Sequence, residues 1–138
     1  MKLFVDTWGW LVLEDRKDPR HSAAAQSYKE RSKTGGQVIT SNFVLDETMT
    51  LLFQRRPFEE AWKFSNSLLR SPLITVESVS DTRFRETLAW RRRFSDKPDI
   101  SFTDLSSMVI MQELKITEVL TADRHFRQVG LGFQTLPD

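Results

Sequence analysis

The chain has 138 residues, 39% of them hydrophobic, and 20 lysines and arginines nearly balance 19 acidic residues, for a net charge of +1. This composition is too apolar for a disordered chain, and no apolar run reaches the roughly 20 residues that a membrane-spanning helix needs. The lack of cysteine excludes disulfides, zinc thiolate sites and thiol nucleophiles. We therefore expect one cytoplasmic domain, residues 1–138, without a membrane partner.

Short apolar runs alternate with helical stretches along the chain. In its first half, the predicted elements are a strand at 3–5, helices at 7–13 and 21–33, a strand at 37–40 and helices at 42–56 and 57–70. In its second half, they are a strand at 73–76, helices at 81–94 and 102–114, a strand at 118–121, a helix at 123–128 and a strand at 133–136. This alternation predicts a three-layer α/β/α fold around a mainly parallel sheet.

Two aspartates follow predicted strands. Asp6 comes directly after residues 3–5, and Asp123 comes shortly after the strand near 118–121. Parallel strands end at the same edge of a sheet, where open α/β folds bind their ligands, so we expect both carboxylates there. Each aspartate taken alone is equally well explained as the N-cap of a following helix. Their shared edge makes the pair a candidate site.

Glu47 has an unusual setting on its predicted helix. Its helical neighbours Phe43, Val44 and Leu51 are all apolar, which predicts that its carboxylate points toward the core. A charged acid in that position is costly unless it pairs with a cation. A salt bridge with an arginine is one explanation, and a role as a metal ligand is the interpretation that we favour.

Asp104 lies in the first turn of the helix predicted at 102–114. Ser101 and Asp104 together form a capping-box pattern, which is the simpler explanation for this acid. The same side of the helix continues with Met108 and Met111, so the carboxylate also borders an apolar stripe. Asp99, in the preceding loop, is a candidate for outer support of the site.

These acids predict a metal site. Carboxylates held close together repel one another and raise each other's pKa unless a divalent cation neutralises them. Oxygen ligands suit Mg²⁺ or Mn²⁺, and such ions activate a water and stabilise the departing oxygen in phosphodiester hydrolysis. We therefore expect Asp6, Glu47, Asp104 and Asp123 to act on a phosphodiester.

Basic residues near the Asp104 motif are candidates for RNA binding, although a solvated helix face explains any one of them equally well. The candidates are Arg91, Arg92, Arg93, Lys97 and Arg124.

Two other functions and one other mechanism fit parts of the sequence. Arginines alone could serve a non-catalytic RNA-binding module, and a receiver-like phosphotransfer domain also gathers acids around Mg²⁺. A metal-free mechanism could use the two histidines, His21 and His125, as acid and base.

Four short motifs, each weak alone, are specific in their order and spacing. They are FVDT at residues 4–7, SNFVLDE at 41–47, SFTD at 101–104 and LTADRHF at 120–126. In these motifs the chain resembles the PIN domain family, and specifically the small VapC-type toxins of prokaryotic toxin–antitoxin pairs. The resemblance covers essentially the whole chain.

The resemblance implies a PIN-like fold and an acidic quartet of Asp6, Glu47, Asp104 and Asp123. It adds Thr7 and Thr103 as hydroxyl support. It further implies an endoribonuclease that depends on Mg²⁺ or Mn²⁺ and leaves a 5′-phosphate and a 3′-hydroxyl on tRNA or ribosomal RNA. The resemblance also implies a homodimer and a small, separately encoded antitoxin that neutralises it.

Overall fold

A computed structural model of the chain describes residues 1–33 and 35–137, and five strands in it form one sheet. The strands are β1 (Lys2–Val5), β2 (Gln37–Ser41), β3 (Ile74–Glu77), β4 (Glu118–Leu120) and β5 (Gln134–Leu136). They lie in the order β3-β2-β1-β4-β5, and every neighbouring pair is parallel. The predicted parallel sheet is therefore confirmed. Residues 34 and 138, which the single-domain prediction includes, lie outside the described residues.

Seven helices within the described ranges flank this sheet. They are α1 (Thr7–Glu14), α2 (His21–Arg31), α3 (Asn42–Arg55), α4 (Phe58–Arg70), α5 (Asp81–Arg93), α6 (Phe102–Glu113) and α7 (His125–Gln128). The sequence pattern predicts each of these elements, with bounds that differ by no more than two residues. The last helix begins later than predicted because the Asp123 carboxylate accepts a hydrogen bond from the His125 backbone N–H at 2.9 Å, which closes a turn before the helix.

Three helices begin at serine caps. The Oγ atoms of Ser41, Ser80 and Ser101 accept hydrogen bonds from backbone N–H groups three residues later, at 3.1, 3.3 and 3.0 Å. Each bond satisfies a donor that the helix itself leaves unpaired. Local sequence therefore determines where α3, α5 and α6 start.

The core lies around β1, β4 and α6. Leu3, Phe4 and Val5 are fully buried, and so are Val119 and Leu120. Every residue of α6 from position 104 to 111 is buried, so this helix is enclosed rather than amphipathic. Among the described residues, no helix combines the length and apolar character that crossing a membrane requires.

Gly9 allows α1 to pack tightly on the ends of β1 and β4. A Cβ atom at Gly9 would lie 2.7 Å from the Leu120 carbonyl oxygen and 2.8 Å from a methyl carbon of Val5. The same Leu120 carbonyl accepts a hydrogen bond from the Asp6 backbone N–H at 3.2 Å. The contact at Gly9 therefore sets the position of the segment that carries Asp6.

We expect Gly9→Ala to lower the free energy of unfolding by about 1–3 kcal/mol, because the added methyl group overpacks a buried contact. At an open helix position the same change would stabilise the protein by about 1 kcal/mol, so the sign of the effect is diagnostic. Urea unfolding measures it, with Ser67→Ala on the exposed face of α4 as the control. A more stable Gly9→Ala protein would contradict the close packing.

Candidate active site

Two carboxylates meet at the carboxyl end of the sheet because β1 and β4 are neighbours. Val5 pairs with Leu120, so the next residues of both strands emerge side by side. The Thr121 hydroxyl donates a hydrogen bond to Oδ2 of Asp6 at 2.9 Å and accepts one from the Asp123 backbone N–H at 3.1 Å. Thr121 thus joins the two segments that carry Asp6 and Asp123.

Asp6 is buried, with only 4% of its surface exposed. Burial raises its pKa to about 6, and the charges of Glu47 and Asp123 add to this effect, while hydrogen bonding from Thr121 opposes it. Its side chain makes no capping hydrogen bond to α1, so helix capping does not explain it. Asp6 is therefore a buried acid that faces other acids.

Asp104 is brought against Asp123 by the start of α6. Its backbone N–H donates to Ser101, while its side chain is hydrogen-bonded to Asp123. Burial, this hydrogen bond and the charges of Asp6, Asp123 and Glu47 raise the pKa of Asp104 to about 9. Burial also disfavours ionisation of Asp123, but hydrogen bonds from Asp104 and His125 outweigh burial and lower its pKa. The contact between the two carboxyl groups therefore raises the pKa of Asp104 and lowers that of Asp123.

His125 completes a group that could hold a metal ion. Its Nδ1 atom lies 2.9 Å from Oδ1 of Asp123 and 3.7 Å from Oδ2 of Asp104. One potential ligand atom from each of these three residues lies within 4.8 Å of the other two. Sequence reasoning did not include His125 among the metal ligands. The sequence signal for this ligand is the position of His125 two residues after Asp123. The turn at Asp123 brings the imidazole close to the acids.

One buried polar atom of this site has no partner. Within the described residues, Oδ1 of Asp6 is buried without a hydrogen-bond partner, as is Oγ of Ser65 on α4. Buried polar atoms are costly without a partner, and a divalent cation satisfies a carboxylate oxygen while removing the repulsion between acids. The residues present therefore fit a hard divalent cation.

Glu47 is exposed, so the prediction that its carboxylate points toward the core is wrong. The buried face of α3 consists of Val44, Leu45, Thr48 and Leu52, and Glu47 lies beside that face rather than within it. The charge of Glu47 nevertheless raises the pKa of both Asp6 and Asp104. Glu47 is therefore at the solvent rim of the same acidic site.

The predicted supporting residues occupy different positions. The Thr7 hydroxyl is buried and lies 3.5 Å from the Val44 carbonyl oxygen, to which it donates. Thr103 is half-buried, and its carbonyl accepts hydrogen bonds from the hydroxyls of Ser106 and Ser107. Asp99 is exposed in the loop before α6. Their support of the site stays a prediction.

Arg91 stabilises a loop. Its guanidinium donates hydrogen bonds to the carbonyl oxygens of Phe94, Lys97 and Ile100, at 2.7, 2.6 and 2.6 Å. These bonds hold the loop that leads into α6 and hence to Asp104. The structure thus gives Arg91 a structural role in this loop, and its predicted RNA contact stays a prediction.

The other predicted RNA-binding residues are more accessible. Arg92, Arg93 and Arg124 are exposed, although Arg93 lies over the Phe94 ring at 5.0 Å. The ammonium of Lys97 pairs with Asp96 at 2.8 Å. Arg124 immediately follows Asp123, an acid of the site. The RNA contacts of these four residues stay a prediction.

Known proteins resemble this chain in sequence. The sequence model of the PIN domain family matches residues 3–131. Over 93% of its length, the chain is 31% identical to the 23S rRNA-specific endonuclease VapC20 of Mycobacterium tuberculosis, of which it covers 94%. It is also 29% identical to a VapC ribonuclease of Archaeoglobus fulgidus, over 96% of this chain and 83% of that protein.

Solved structures show the same fold. The crystal structure of M. tuberculosis VapC20, described as a sarcin–ricin loop cleaving toxin, matches with a TM-score of 0.81 and 29% identity. That match covers 93% of this chain and 95% of VapC20. VapBC2 from Rickettsia felis, solved with a promoter DNA fragment, matches with a TM-score of 0.73 over 98% of this chain and 97% of that one. Its 13% identity makes this second match evidence of fold alone.

The raised pKa values predict how stability depends on pH. Without divalent cations, the folded acids bind protons that the unfolded chain releases, so the free energy of unfolding should fall as pH rises from about 4 to about 9. Asp104→Asn removes the most strongly shifted acid and should reduce this fall by at least about 1 kcal/mol. Urea unfolding at several pH values measures the difference. For Asp99→Asn, in the exposed loop, the free energy of unfolding should depend on pH as in the wild type. An equally steep fall with pH for Asp104→Asn would contradict the raised pKa of Asp104.

Proposed function

Because the chain belongs to the PIN domain family and is homologous to VapC20, we propose that it is an endoribonuclease toxin that uses Mg²⁺ or Mn²⁺. The observation that carries this proposal is the meeting of Asp6, Asp104 and Asp123 at one end of the sheet, with Glu47 at the rim. Sequence similarity supports membership of the family, whereas this acidic cluster supports the proposal that the chain has kept the nuclease activity.

The residues that would hold the cation are Asp6, Asp104 and Asp123, with Glu47 reaching the site from the solvent side. Asp6 offers an oxygen without a hydrogen-bond partner, and Asp104 and Asp123 offer a carboxylate pair. A bound divalent cation supplies charge neutralisation and Lewis acidity for phosphodiester hydrolysis.

Neighbouring side chains keep these acids in place. Thr121 holds Asp6 through its hydroxyl, and the turn to His125 holds Asp123. Enclosure of α6 fixes the backbone that carries Asp104. The acids are therefore preorganised, which limits the reorganisation that the reaction requires.

RNA is the proposed substrate, and the cytoplasm is the proposed location of the protein. The relative VapC20 is named for cleavage of 23S rRNA, so the sarcin–ricin loop is the first RNA to test, and tRNA is the second. Cleavage would leave a 5′-phosphate and a 3′-hydroxyl, as the family resemblance implies.

A small antitoxin and a second copy of the chain are the proposed protein partners. Exposed apolar side chains on two helix surfaces support protein contacts. On α4, Phe58 and Trp62 are 61% and 54% exposed, and their rings stack with centroids 6.1 Å apart. On α5, Phe84 and Leu88 are 45% and 59% exposed.

We expect the purified protein to cleave RNA when Mg²⁺ or Mn²⁺ is present, and we expect EDTA to abolish this cleavage. Asp6→Asn and Asp104→Asn should each lower the cleavage rate at least about a hundredfold, because each removes a charge that the site needs. Gel analysis of total cellular RNA, a sarcin–ricin loop oligonucleotide and tRNA measures the rate. Asp46→Asn, an exposed acid on α3 beside Glu47, is the matched control and should keep full activity.

Other outcomes would overturn the proposal. Cleavage that persists in EDTA would favour the metal-free mechanism in which His21 and His125 act as acid and base. RNA binding without cleavage, independent of Mg²⁺, would favour the non-catalytic module. A stable aspartyl phosphate after incubation with a small phosphodonor would favour the receiver-like domain.

A further inference from the structure

A cavity opens beside the acidic site, at the carboxyl ends of β4 and β5. Its volume is about 510 Å³, within the range of about 300–1,000 Å³ that is typical of ligand pockets. Asp123 forms part of its wall, and a smaller depression of about 380 Å³ next to it includes both Asp123 and His125. The cavity is thus continuous with the acids, and we name it the β4–β5 cavity.

The charge of the β4–β5 cavity is opposite to that of the acidic site. Arg124 and Arg127 line it, and Asp123 is the one acid among its lining residues within the described part of the chain. Arg127 is held in place because its Nε donates a hydrogen bond to the Thr135 hydroxyl at 2.6 Å. Thr135 is buried in β5, so this arginine is anchored to the sheet.

The negative acidic site and the positive β4–β5 cavity lie side by side, which suits an RNA strand. Each nucleotide brings a phosphate, and the acids can accept only the one that a divalent cation neutralises. Neighbouring phosphates need positive side chains. Arg124 and Arg127 lie beside the acids because they line the same cavity as Asp123.

We propose that the β4–β5 cavity binds the unpaired nucleotide next to the cleaved phosphodiester, with its phosphate on Arg124 and Arg127. The inference rests on the proposed function and deepens it by naming a subsite. The volume of the β4–β5 cavity fits one nucleotide that is taken out of a helix. Proteins recognise RNA loops through such unpaired nucleotides. Arg124 and Arg127 are substrate-binding residues here, and Thr135 is a positioning residue that acts through Arg127.

Binding of a short labelled single-stranded RNA in EDTA tests the subsite without turnover. Arg124→Ala and Arg127→Ala should each weaken binding about tenfold, the effect of losing a charge-assisted hydrogen bond. Each should also reduce the slope of log affinity against log salt by about 0.7, the value for one phosphate contact on a single strand. Fluorescence anisotropy at several salt concentrations measures both quantities.

Three variants give the test its specificity. Arg70→Ala removes an exposed arginine from α4, which packs on β3 at the opposite edge of the sheet, and it should leave the affinity and the slope unchanged. Arg127→Lys keeps the charge and should restore the salt slope. Thr135→Val removes the hydroxyl that holds Arg127 and should weaken binding while keeping the salt slope near the wild-type value.

Cleavage kinetics separate this inference from the proposed function. The arginine variants should raise KM about tenfold with kcat nearly unchanged, and they should bind Mn²⁺ as the wild type does. If the wild type cleaves and both arginine variants match Arg70→Ala in KM and salt slope, the subsite is wrong and the nuclease stands. If the wild type fails to cleave any of the RNAs with Mn²⁺, the proposed function itself falls.

Discussion

The parallel pairing of β1 with β4 is the constraint on which the acidic site depends. The register that places Val5 beside Leu120 also places the following residues of both strands together. Thr121 then serves both segments at once, because its hydroxyl contacts the Asp6 carboxylate and the Asp123 backbone. A shift of one residue in this register would separate the acids and turn their side chains to the other face.

Bringing acids together is costly, and the structure shows how the protein tolerates it. Burial raises the pKa of Asp6 and Asp104, so part of the charge is removed by protonation when no cation is present. Glu47 stays at the rim, where water screens its charge. One short segment then supplies Asp123 to the site and Arg124 and Arg127 to the adjoining cavity. A negative centre with a positive neighbour is the arrangement that a polyanionic substrate with a cation requires.

Local signals in the sequence predicted the elements well because their causes are local. Ser41, Ser80 and Ser101 cap helices through bonds to residues three positions away, and short apolar runs become the buried strands. Glu47 shows the limit of this reasoning. Its apolar helical neighbours predicted burial, but the direction of burial depends on where α3 packs, and that depends on the rest of the fold.

The sequence by itself determined the order of strands and helices and the identity of the acids that follow strands. Caps, apolar runs and motif spacing act over a few residues, and they can be seen without a fold. Tertiary structure alone decided that Arg91 holds a loop, that His125 lies against two acids, and that Arg127 is anchored on β5. Each of these depends on where a folded segment comes to lie, and a pattern of residue types along the chain does not specify that.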